Sequence, residues 1–259
     1  MTLLRRFYII WLREVKRFLR DKTRLVSSFV QPFLWLVIFG AGIGAALGSG
    51  VHIPGVTYQE LIFPGIIGQT LLFTAMFIGI SVIWDRDFGF MKEILVAPVS
   101  RMVVFLGKMV GDSVSAVLQG IVVLVFGLAL GISISASAFI FALAVMLLIT
   151  FGLASIGLVV ASFIGGLESF GAILTFINMP LFFLSGALFP INSLPSWMRA
   201  VSKANPLSYG VDALRHIILG KPWSASFQLQ PLAVDLAIVG AFDLAMIAFG
   251  TWAFSKMKQ

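Results

Sequence analysis

Cysteine is absent from this 259-residue sequence, and charge is scarce, at 11% of the residues against about 25% in an ordinary soluble domain. The first absence excludes a disulfide framework, thiolate chemistry and any Cys-based metal site, and it leaves the redox compartment unread. Two histidines cannot alone make a zinc site. The second absence excludes the soluble class, because 59% of the residues are apolar and the mean hydropathy is +1.05. A phosphate loop, G-x-x-x-x-G-K-[ST], is missing too: Lys108 and Lys221 each follow a glycine, but Met109 and Pro222 stand where the magnesium-binding hydroxyl should be. The chain is therefore not expected to hydrolyse ATP by itself. Nor does any stretch between its apolar runs reach the ~50 residues of an independent domain.

What the sequence does have is six apolar runs, at about 25–47, 61–84, 103–131, 137–164, 170–189 and 229–254. A bilayer takes about 20 residues of helix per crossing. These runs predict an all-α integral membrane protein, one transmembrane domain over 1–259. Its parts are an N-terminal interfacial helix (1–24), a six-span bundle (25–254), a cytoplasmic segment (84–101) and an outer re-entrant segment (190–228). Outside the spans the lysines and arginines divide fourteen to four, which places both termini in the cytoplasm of a cell (inner or plasma) membrane. No cleavable signal peptide is expected, since a long basic segment precedes a first run that is itself of span length. The net charge of +7 is absorbed by this bias, so nucleic acid is not an expected partner. Eight of the 18 basic residues lie in the first 24. There Leu4, Phe7, Tyr8, Trp11 and Leu12 share one helical face and Arg5, Arg6, Arg13, Lys16 and Arg17 the other, as in a helix lying on anionic membrane lipid. Such a helix either sets topology alone or also lines the dock of a cytoplasmic partner.

Gly40, Gly42, Gly44 and Gly48 fall inside the first apolar run with no βαβ pattern around them, so they read as a close-packing face rather than a dinucleotide loop. That face serves packing within the chain or between subunits. Ionisable residues at membrane depth are few. They are Asp112, Asp235 and Asp243: Asp112 has Lys108 one turn away as an i,i+4 partner, whereas Asp243 has no local cation, and a hydrogen bond to Ser, Thr or Gln of a neighbouring helix is expected for it. Their scatter speaks against a proton relay. The 84–101 connection reads as a short amphipathic helix stopped before Pro98, a linker or, if a soluble partner docks, the place where it docks; Asp85, Arg86, Asp87, Lys92, Glu93 and Arg101 supply charge and Gly89 and Pro98 limit its ends. The 181–215 stretch is too apolar for a solvated loop and too interrupted for a span. Pro190 and Pro195 break it, Ser196 is placed to cap a helix carrying Trp197, Asn205-Pro206 starts a second, and Asp212 can pair with Arg215. Two short helices dipping into the outer leaflet, a lid or a gate, are expected.

Three stretches carry a resemblance to a known family: YQELIFPG (Tyr58–Gly65), DRDFGFMKEILVAPVSR (Asp85–Arg101) and FLSGALFP…LPSWM…NPLSYGVDALR (Phe183–Arg215). In this order among six spans they resemble the ABC-2 type membrane subunits of ABC exporters, most closely the drug-resistance and nodulation-type members. The resemblance implies a coupling helix at 85–101 seated in a separate ATPase subunit, a pair of re-entrant outer helices at 183–215, and two membrane subunits with two ATPase subunits. The second membrane subunit would be another copy of this chain or a paralogue. ATP and magnesium would then be bound on the partner and no cofactor on this chain. Where many members have Gly-Thr in the coupling motif this chain has Gly89-Phe90, which bears on the ATPase it accepts. The implied substrate is a small amphiphile or lipid-linked compound, with a polysaccharide or lipo-oligosaccharide as the alternative. An ATP-independent channel or scaffold is the reading from another class.

Overall fold

The computed structural model describes residues 8–9, 11–13, 15–16, 20, 30–40, 42, 57–89, 100–220 and 228–256. Among these there is helix and no strand. The helices are α1 (Tyr58–Met76), α2 (Gly79–Asp87), α3 (Arg101–Ala129), α4 (Ala136–Phe163), α5 (Leu167–Phe183), α6 (Ser196–Ala204), α7 (Pro206–Leu219) and α8 (Leu232–Lys256). There are also a π-helical turn at Trp35–Phe39, a 3-10 turn at Ile191–Ser193 and helical residues among those described at 8–20 and 30–42.

Local chemistry fixes most of the starts. Thr57 and Glu60 form a reciprocal capping box, Glu60 N donating to Thr57 Oγ1 at 3.3 Å and Thr57 N to Glu60 Oε2 at 2.7 Å. Ser100 and Ser135 cap α3 and α4 through the amides of Val103 and Ala138. Asn205 caps α7, accepting from Leu207 N at 3.0 Å, with Pro206 at the first helical position as its sequence predicts. Ser196 is a correction: it is the first residue of α6 and makes no capping bond, while Pro195 occupies the cap.

Among the described residues four stretches are long and apolar enough to cross a bilayer: Tyr58–Asp87, Arg101–Ala129, Ala136–Phe163 and Leu232–Lys256. Of the first expected span, 25–47, the described residues are 30–40 and 42, and these are helical. The second runs on past Trp84 to Asp87 and is broken at Phe77–Ile78, where Gly157 of α4 presses on the chain: a Cβ on Gly157 would sit 2.2 Å from the Met76 carbonyl oxygen. The fifth stops at Phe183, six residues before the expected 189, because the chain turns through Leu184 and a left-handed Gly186 (φ 72°) instead of continuing as helix. α1 is the central post, its most apolar window 83% buried against 17% for α8, and Phe63, Ile66, Ile67 and Leu71 carry the core into α3, α4 and α7. Gly40 packs on its own neighbour, since a Cβ there would lie 3.1 Å from Gln59 Cγ, whereas Gly42 has open space and Gly44 and Gly48 lie outside the described residues.

Candidate functional site

At one end of the bundle the chain from Leu184 to Pro190 is non-helical, and its middle, Ser185 to Leu188, is buried, with Ser185 and Ala187 at 0% and 1% exposure. Backbone of this kind needs donors from elsewhere. α7 supplies them. Arg215 Nη2 donates to Ala187 O at 2.8 Å and its Nε to Leu61 O at 3.2 Å, Asn205 Nδ2 to Leu181 O at 2.7 Å, and Ser208 Oγ to Ser202 O at 2.7 Å and Leu184 O at 3.3 Å. Gly65 makes the approach possible, because a Cβ on it would meet Ala187 O at 2.2 Å. Asp212 Oδ2 accepts from Leu229 N at 2.8 Å and Gln230 N at 3.3 Å, fastening the lead into α8. Arg215 lies outside the four spans; burial lowers its pKa from 12.5 to about 10 and the charge of Asp212 raises it in part, so it is a cation at neutral pH and is influenced by the residue its spacing singled out.

The opposite end collects charge differently. Lys108 Nζ reaches beyond its own helix and Asp112 to donate to Asp85 Oδ2 at 2.6 Å and Ser81 Oγ at 3.1 Å. Arg13 of the N-terminal segment donates to Asp85 Oδ1. Both Asp85 and Lys108 are buried. Arg86 Nη2 donates at 2.6 Å to the carbonyl of Ile164, the residue that ends α4, and Arg101 Nη1 at 2.7 Å to Ser255 O in the last turn of α8. Cations here satisfy orphan carbonyls at the negative ends of helix dipoles. Beyond them Asp87 and Phe88 are exposed, and Gly89 turns the chain with φ 79°, a conformation that other residues resist.

A profile of the family described as ABC-2 type transporter matches residues 5–219, most of the chain and both ends just described. The chain belongs to the ABC-2 type transporter family. It is thus a membrane permease of the ABC class, and a membrane protein. Among similar proteins, ycf38 of Cyanophora paradoxa is 29% identical over 251 residues, covering 95% of this chain and 86% of that protein. Nodulation protein J of Rhizobium leguminosarum bv. trifolii is 29% identical over 84% of this chain and 80% of its own. The inner membrane transport permease YadH of Escherichia coli K12 is 29% identical, covering 82% of each.

In this ABC-2 permease two of the three resembling stretches are not separate: Leu61 and Gly65 of the first, Ala187 of the third's start and Arg215 of its end meet in one knot, while the second lies at the opposite end. Pro190 and Pro195 bound the 3-10 turn and α6, and Trp197 on α6 is 66% exposed while Ser208 is fully buried. Of the residues expected to contact an ATPase, Asp85, Arg86 and Arg101 turn onto the chain itself, Asp87 faces outward, and Lys92, Glu93 and Pro98 lie outside the described residues. Asp243 makes no hydrogen bond to a neighbouring Ser, Thr or Gln; its carboxylate lies over Gly152, whose Cβ would meet Oδ1 at 2.3 Å. An apolar cavity of about 520 Å³ opens between the starts of α4 and α8 and the end of α7, with Phe141, Val145, Leu148, Ile217, Leu232 and Leu236 in its wall. Sequence reasoning missed the Asp85–Lys108 pair, which has no signal in local spacing. It also missed the capping box, whose Thr57-x-x-Glu60 pattern was in plain view.

Proposed function

We propose that this permease is an exporter subunit, energised by a separate ABC ATPase that binds ATP and magnesium, with two copies of each chain in the transporter. Six spans, both termini in the cytoplasm and a re-entrant outer pair formed by α6 and α7 complete the reading. The observation that carries it is the setting of α2. This short helix is cut from α1 by the break at Phe77–Ile78, is tied to α3 by Asp85–Lys108 and to the end of α4 by Arg86, and leads through Gly89 into the segment at 90–99. A push on that segment by a cytoplasmic ATPase has a route into three helices. Exposed Trp197 and Val201 on α6 suit a helix at a membrane interface, and the apolar cavity suits the hydrocarbon part of an amphiphile better than a polysaccharide.

The test is pull-down of the ATPase subunit together with ATPase activity and export in reconstituted vesicles. Glu93→Arg is expected to weaken docking. Gly89→Pro is expected to leave docking in place and to uncouple hydrolysis from export. Wild-type docking and coupling in both variants would reduce 84–101 to a linker.

A further inference from the structure

His216 and two aspartates converge where α7 meets the first turn of α8, away from the resembling knot. One ligand atom from each of Asp212, His216 and Asp235 lies within 4.8 Å of the other two. His216 Nε2 is 3.7 Å from Asp212 Oδ2 and 3.8 Å from Asp235 Oδ2. Asp235 is 0% exposed, and neither of its carboxylate oxygens has a hydrogen-bond partner. A buried carboxylate without donors costs several kcal/mol unless a counter-charge sits beside it. Asp212 Oδ2, the oxygen nearest His216, accepts from the amides of Leu229 and Gln230, and His216 Nε2 donates to the Gln230 carbonyl at 2.9 Å, so a metal taking Nε2 would displace that proton and leave the Gln230 oxygen beside the three side chains.

We propose that Asp212, His216 and Asp235 bind one divalent cation of the zinc class, which clasps α7 to α8. Ligand atoms around tetrahedral zinc, at bond lengths of about 2.0–2.2 Å, stand roughly 3.3–3.6 Å apart, so the two distances from His216 need to close by only a few tenths of an ångström and the two carboxylates, within 4.8 Å of each other, by no more than about 1.5 Å. One imidazole with two carboxylates suits Zn2+, with Mn2+ weaker in the ordinary affinity order; an all-oxygen cage for Ca2+ or Mg2+ is not what these residues make. Spacing in the chain agrees. Asp212 and His216 are one helical turn apart and present one face, and Asp235 enters from the neighbouring helix. The clasp would join the helix that sews the outer end to the last span, independently of any ATPase or transported molecule.

The experiment uses the full chain without an affinity tag, purified in detergent, stripped with EDTA and dialysed against Zn2+, with bound zinc counted by elemental analysis and thermal melting followed in parallel. One zinc per chain and a higher melting temperature with zinc are expected. Asp235→Asn and His216→Gln should each weaken binding by about tenfold or more. His52→Gln, which changes the other histidine, should leave it as it was. Asp235→Asn removes an unpaired buried charge and is expected to melt no lower than wild type without metal; if it does not fold, His216→Gln decides. No zinc on the wild type, or equal zinc on wild type and both site variants, overturns the proposal and marks any bound metal as adventitious. Because neither ATP nor a transported compound enters the assay, its failure and the failure of the export reading are separate results.

Discussion

The two ends of the bundle are held by opposite devices. At the α2 end arginines close the carboxyl ends of α4 and α8, and one buried pair, Lys108–Asp85, ties two spans side chain to side chain. At the α7 end the fifth helix unravels early, and a single helix, α7, sews the irregular backbone with Arg215, Asn205 and Ser208. The contacts at the α2 end join finished helices and can be exchanged; those at the α7 end substitute for helix hydrogen bonds that do not exist. Losing the second kind leaves buried carbonyls with nothing to bond.

That contrast can be broken by substitution. The largest effect is expected for Arg215→Ala, which strips the donor from two buried carbonyls and empties a large buried side chain: a loss of about 3–5 kcal/mol, read as thermal melting of the purified permease. Arg215→Lys should recover only part of it, since a point ammonium does not span both oxygens. An unchanged melt for the alanine variant would show that the knot does not hold the α7 end. Next comes Lys108→Met, which strands Asp85 with Arg13 alone and should cost about 3 kcal/mol. Adding Asp85→Asn should bring the double variant back to within about 1 kcal/mol of wild type, and a strictly additive double variant would mean that the two residues do not act as a pair. Asn205→Ala removes a cap and the donor to Leu181 O, and a loss of up to about 2 kcal/mol is expected, with hydrogen exchange quickened first in α7. Smallest is Arg86→Gln, at about 0.5–1.5 kcal/mol, confined to the end of α4. Limited proteolysis near Ile164 should rise while the global melt stays put; a lowered global melt would erase the distinction between the ends.

Apolar period and helix signals made the bundle legible. The starts of α3 and α4 and the end of α8 fall within two residues of the apolar runs, and Asn205-Pro206 starts its helix where a cap followed by proline should. The π-turn, the break at Phe77–Ile78 and the early stop at Phe183 were hidden, because each depends on what packs opposite: Trp35 on Phe182, Met76 on Gly157, Gly65 on Ala187. Charges were read by their near neighbours in sequence. Lys108 has Asp112 one turn away, but its ammonium finds Asp85, 23 residues back, on another span. Asp85 is expected from its place in a charged connection to offer a contact to a soluble partner, yet it turns to the core, while Asp87, two residues and about 200° further round the helix, stays outside.

The joint between α1 and α2 also sets a mechanical ratio. α2 has 9 residues, so it is a lever arm of about 14 Å, and a swing of about 10° at Phe77–Ile78 would carry its tip by roughly 2 Å. An unbroken rod of 30 residues, pinned at its far end by Gly65 and Leu61, would have to tilt as a whole to move that tip as far, shearing the knot that holds it. With the joint in place, displacement at Asp87 is spent on α3 and α4, where Lys108 and Ile164 grip the arm, and the far end of the same span keeps still.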